Sequence, residues 1–260
     1  MIGSDLELSV ILPALLAGFL VLSIHVPLGI EVLQRGIIFI DLAIAQIAAL
    51  GVIAATILGG DNLAGWMIQL CAAASALSGA LLIHWLEDRF THILEALIGL
   101  LFVLAASGGL ILASYSPHSN ELLRDLLVGQ ILWVTKTQLL WAVVLYIPLL
   151  IFWFGFNRSR RSMRFYVIFS LAVTTSVQLV GIYLVFASLI LPALATRLLP
   201  DQKIRLITAW CIGLLGYLLG FVASSVFDLP TGAITVWALM LVSLITNTLI
   251  KNSGRTSRPR

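Results

Sequence analysis

Three polar side chains stand out against apolar surroundings. Asp41 and Gln46 lie in the run IDLAIAQIAALG, and Glu95 sits near the start of another apolar run. A carboxylate in a membrane helix is costly to keep, which points first to a pathway for cations. Asp41 is about four residues inside its run, so a solvated or paired structural residue is the alternative. Glu95 fits a helix cap or an ion pair equally well. Asp41 and Gln46 are five positions apart, about 140° around a helix, so they do not share a face. A second group is His118, Glu121 and Asp125. On a helix these fall on one stripe and offer three metal-ligand types; the alternative is a polar surface that meets a binding protein or water. A third group, Arg197, Leu198, Leu199, Lys203 and Arg205, follows Pro192. It pairs basic groups with an apolar anchor, as a surface for docking a partner requires. An ordinary loop that only sets orientation is the alternative.

The remaining titratable residues read as structural. His25 stands in the first apolar run beside Pro27, where a packed, hydrogen-bonded histidine is expected. Glu31 and Arg35 are spaced to pair on a helix. His84, Glu87, Asp88, Arg89 and His92 read as a solvated inner loop. Cys71 and Cys211 lie in apolar runs and read as small buried hydrophobes. The chain has no GxxxxGK[ST], no HExxH and no nucleophile elbow. A nucleotide-hydrolysing or intramembrane enzyme therefore has little to stand on, and no cofactor is expected to be bound by this chain.

These groups must be positioned by membrane helices. The 260 residues are 60% hydrophobic and only 10% charged, against about a quarter charged in soluble domains. Apolar runs at about 6–30, 37–59, 63–84, 93–114, 138–156, 164–181, 182–199, 206–226 and 232–250 are too long for barrel strands, which are roughly 10 residues. The expected fold is all-α: a polytopic helical bundle with about nine transmembrane helices. Residues 1–250 form one transmembrane domain and 251–260 a basic cytoplasmic tail. Basic residues orient it. With the tail inside, Arg35, Arg89, Arg158, Arg160, Arg161, Arg164, Arg197, Lys203 and Arg205 are inside too, and only Arg124 and Lys136 are outside. The N-terminus is then outside and the C-terminus inside. The same rule makes 164–199 a hairpin turning near Gly181. No Lys or Arg precedes Arg35, so a cleavable signal peptide is not expected. Residues 115–136 read as a partly helical or re-entrant outer element. The sequence DLPTG at 228–232 reads as a tight outer turn, with Thr231 or Gly232 starting the last helix.

The stretch VGIYLVFASLILPALATRLLPDQKIR, residues 180–205, resembles the GvlLvtALLIiPAatA signature of ABC-3 permeases, the membrane subunits of bacterial zinc, manganese and iron importers. Gly181, Leu184, Leu191, Pro192, Ala193 and Ala195 carry the match. Residues 213–233 are similar to the family's late GlxxSyxxdxPsGa motif through Ser224 or Ser225, Asp228, Pro230, Thr231 and Gly232. Glu95 with Leu97 to Gly99 is similar to its E-a-x-I-G, and Leu127, Gly129, Ile131 and Leu132 to its LfGnil segment. The chain departs from the family's GDALSHaaLpG. Aligned on Gly51, the family's His falls on Gln46, its Ser on Ala45 and its Asp on Leu42, while Asp41 sits one residue early. That departure weighs against direct metal coordination at the inherited positions. The resemblance implies a homodimeric permease in the bacterial inner membrane, taking divalent metal, zinc first and manganese or iron next. It implies separate cytoplasmic ATPase subunits that use ATP and an extracytoplasmic metal-binding protein. No nucleic-acid partner is expected. An ABC permease for a metal chelate and an ion-coupled secondary carrier are the alternatives.

Overall fold

The computed structural model describes the backbone of residues 2–59, 64–114, 131–155 and 163–256, and the side chains of 12–57, 64–114, 131–155 and 163–251. Nine α-helices appear among the described residues: α1 Ile2–Arg35, α2 Ile40–Gly59, α3 Gly65–Arg89, α4 Leu94–Ala113, α5 Lys136–Gly155, α6 Met163–Val180, α7 Ile182–Ala195, α8 Gln202–Phe227 and α9 Thr231–Thr256. Eight of them are long and apolar enough to cross a membrane. The ninth, α7, has 14 residues and is about 21 Å long, short of the ~30 Å hydrocarbon core. The run 182–199 thus yields less helix than its length promised. Thr196 to Pro200 turn away after α7, and Asp201 restarts the chain by accepting hydrogen bonds from the backbone N–H groups of Lys203 and Ile204, at 2.7 and 3.1 Å. His118, Glu121 and Asp125 lie outside the described residues, as do Arg158, Arg160 and Arg161.

Two turns follow from their residues. Gly181 has φ +80° and separates α6 from α7, a backbone that glycine adopts without a Cβ clash. The expected hairpin therefore forms, turning where the glycine permits. Asp228 takes the left-handed conformation after α8, and Ser224 donates to the Leu229 carbonyl at 2.8 Å while bonding the Thr231 hydroxyl at 2.6 Å.

The core is built from α1, α6 and α7. About 72% of the α1 span and 67% of α6 is buried, against 22% for α4, α5 and α9. Helices α2, α3 and α4 pack together on one side of that core, α8 and α9 on the other, and α5 lies against α1 and α6. The outer helices present Leu, Ile, Val and Phe outward, for example Leu110, Ile151, Val222 and Leu249, as lipid-facing surfaces do.

Side-chain contacts fix which helix ends share a face. Arg35, ending α1, lies 3.8 Å from Glu87 near the end of α3 and 4.2 Å from the Phe165 ring near the start of α6. His25 and Gly29 of α1 meet Ser188 and Leu189 of α7 in the same order, so Arg197 falls at the Arg35 end. Trp153 near the end of α5 packs on Phe165, which leaves Lys136 at the opposite end. The Ser224–Thr231 bond joins that opposite end of α8 to the start of α9, and α9 returns. Arg35, Arg89, Arg164, Arg197, Lys203, Arg205 and Lys251 thus gather at one end of the bundle.

That face also corrects one expectation. His84 and Glu87 are not in a solvated loop, because α3 continues to Arg89. Glu87 is buried beside Arg35, and the His84 ring packs 5.2 Å from Tyr166.

Candidate translocation site

A groove of about 610 Å³ opens between α2, α4, α7 and α9. Its walls include Leu42 and Gln46 from α2, Phe102 from α4, Phe186 and Leu191 from α7 and Trp237 from α9. Leu42 and Gln46 are four apart, so one face of α2 presents both. The lining is nearly all apolar, and Gln46 supplies the one side-chain amide among the described lining residues.

Asp41 occupies the first turn of α2 and does not line this groove. It is 1% exposed, and no described side chain hydrogen-bonds either carboxylate oxygen; the backbone N–H groups of Asp41 itself and Leu42 lie beside it. Glu95 opens α4 and reaches across to α2: its Oε1 accepts the Phe39 backbone N–H at 3.1 Å. Glu95 therefore caps the start of a neighbouring helix, the structural role the sequence left open for it, while its Oε2 stays buried without a partner. The two carboxylates are close enough to interact electrostatically, and each sits at a helix N-terminus, where the backbone dipole favours negative charge. The structure thus brings Asp41 and Glu95 together and sets Gln46 apart in the groove wall, as the angular separation on α2 requires. Phe39, held by Glu95, stacks parallel to Phe186 with ring centres 6.4 Å apart, which links the carboxylate pair to the groove. No set of three or more His, Cys, Asp or Glu able to hold a metal occurs among the described residues.

The turn from Thr196 to Asp201 projects from the basic end. Arg197, Leu198 and Lys203 are exposed, and Leu199 and Arg205 are half-buried. Leu198 is 53% exposed, an apolar side chain at the end of the bundle rather than on its sides. The helix behind it, α7, forms one wall of the groove.

Residues 7–161 and 153–250 match the ABC 3 transport family. The chain belongs to that family. A metal transport system membrane protein of Chlamydia muridarum, named as probable, is 28% identical over 240 residues, covering 80% of this chain and 81% of that protein. The manganese transport system membrane protein MntC of Halalkalibacterium halodurans is 26% identical over 248 residues, covering 88% and 83%. Among solved structures, PsaBC from Streptococcus pneumoniae in complex with Fab aligns with a TM-score of 0.74 at 22% identity over 95% of each chain, a likeness of fold. In this ABC 3 family member, Leu42 and Gln46, the positions where the sequence resemblance leads one to expect the family's Asp and His, both line the groove. Asp41 stands one residue off that face.

Two features at the site escaped sequence reasoning. Phe39 falls in a turn and carries no polar signal. The burial of Glu87 against Arg35 joins residues distant in sequence, and only the packing of α1 and α3 against α6 reveals it.

Proposed function

We propose that this chain is the membrane permease of an ATP-driven importer for divalent metal, zinc first and manganese or iron next. Its membership of the ABC 3 transport family along nearly the whole chain carries the reading. The names of its relatives as metal and manganese transport membrane proteins support the cargo class. In this reading two copies face each other in the bacterial inner membrane, with the N-terminus outside and the basic end inside. The turn Thr196–Asp201 meets a cytoplasmic ATPase that hydrolyses ATP. A metal-binding protein delivers cargo to the outer face, where His118, Glu121 and Asp125 are candidate contacts.

Asp41 supplies an acceptor for a cation, or for a proton that leaves when a cation arrives. Glu95 holds the α2 start in place beside it. Gln46 offers a carbonyl oxygen inside the groove, a weaker ligand than an imidazole nitrogen.

A second reading has a specific observation in its favour. The groove's almost wholly apolar lining, with Leu42 and Gln46 at the family's Asp and His positions, suits a metal chelate with an organic shell better than a bare ion. Uptake by the reconstituted complex separates the two. Free zinc, manganese and iron are offered alone and in competition, and then as chelates. Uptake of the free ions supports the first reading, and uptake confined to chelates supports the second.

A further inference from the structure

His25 is fully buried and is not part of the groove. Its ring joins two helices that are themselves the arms of one hairpin. Nδ1 lies 2.7 Å from the Ser188 hydroxyl on α7, and Nε2 lies 2.8 Å from the Ser176 hydroxyl on α6. Gly181 turns the chain between those serines. Ser176 also bonds the Tyr146 hydroxyl of α5 at 2.5 Å, so four helices meet at one imidazole. A neutral imidazole carries one N–H and one acceptor nitrogen, so one serine accepts from it and the other donates to it. One turn along α1, Gly29 presses on the Leu189 carbonyl so closely that any Cβ there would clash with backbone. The α1–α7 seam is therefore tight at His25 and at Gly29.

We propose that His25 is a positioning residue: it fastens both arms of the α6–Gly181–α7 hairpin to α1, so that the groove wall and the turn at Thr196–Asp201 move as one body. Helix α7 is the physical link. Tyr183, Phe186 and Ala187 on one face line the groove, Ser188 on another is held by His25, and its C-terminal end runs into the turn. The two arms touch each other little, α7 packing mainly on α1 and α9, so little within the hairpin itself resists sliding of one arm on the other. Two interhelical hydrogen bonds in a membrane interior supply that resistance.

The serines make the idea testable without unfolding the protein. Both can also donate to carbonyls of their own helices, Ser176 to Ala172 at 2.8 Å and Ser188 to Val185 at 3.0 Å. His25→Leu therefore leaves no buried hydroxyl without a partner, and the bundle should assemble. His25→Gln keeps one donor and one acceptor at similar reach.

The first measurement is amide hydrogen exchange on the full chain in nanodiscs. His25→Leu should raise exchange in residues 177–200 about tenfold, with α2 and α9 unchanged, and His25→Gln should restore most of the protection. Exchange that is unchanged in 177–200, or raised evenly over all helices, overturns the clamp. This measurement does not depend on the cargo. The second rests on the proposed function and uses the complex with its ATPase. His25→Leu should lower uptake per ATP hydrolysed severalfold while hydrolysis persists. An unchanged ratio with raised exchange overturns the role in transport, and parallel loss of both activities with no rescue by His25→Gln marks a structural residue only.

Discussion

Asp41 is the residue whose chemistry is hardest to explain by packing. Its carboxylate is buried with no described side chain bonded to it, whereas His84 is part-exposed, with its ring against Tyr166 and its Nδ1 near Glu87. A contact to a charged group is worth about 1.5–3 kcal/mol, or roughly ten- to a hundredfold in rate. Asp41→Ala should therefore lower uptake by that factor at equal membrane abundance, and His84→Ala should lower it much less. Equal activity of Asp41→Ala and the parent would remove Asp41 from the mechanism. Arg35 calls for a different measurement. It bonds Glu31 at 3.0 Å and lies near Glu87 and Phe165 with its side chain 7% exposed. Removing it leaves two buried carboxylates without their cation, which costs about 3–5 kcal/mol. Arg35→Ala should melt many degrees lower, and a melting temperature within a degree or two of the parent's would contradict this account. The Glu31–Arg35 pair was legible because its partners are one helical turn apart. Glu87 was not, because its partner Arg35 is 52 residues away and a run of charged residues near a helix end looks solvated. His25 was legible as a packed histidine beside Pro27, but its two serines were not, since neither lies near it in sequence.

At the level of elements, apolar run length carried most of the fold. It located the helix ends to within about six residues, and Gly181 and Asp228-x-Pro230 marked their turns by backbone chemistry. It misjudged α7, because Leu198 and Leu199 extend the apolar run although the chain has already turned at Thr196. Those two leucines carry the prediction for this scale. Substituting both by Ser leaves every basic residue in place, so orientation should survive. A pair of apolar anchors at the centre of a docking surface is worth at least about 2 kcal/mol, so the ATPase should bind about 30-fold more weakly. Co-purification at normal permease abundance reads this directly. Undiminished docking with undiminished transport would leave the turn an orientation role only.

The whole molecule is a bundle with its described basic residues at one end and Lys136 at the other. If that end is cytoplasmic, reporter fusions after Lys251 and within residues 157–163 should read inside, and a fusion near Asn120 should read outside. A C-terminal fusion that reads outside would invert the scheme and place the Thr196–Asp201 turn beyond reach of a cytoplasmic ATPase. The central claim is that this bundle carries divalent metal at the expense of ATP hydrolysed by a partner. It is tested most directly by loading liposomes with the permease, its ATPase and its binding protein, and measuring metal entry with ATP and without it. The account predicts ATP-dependent entry of zinc, manganese or iron, reduced by competing metals and abolished when the ATPase cannot hydrolyse ATP. Metal entry that proceeds without ATP and follows an imposed ion gradient would contradict it.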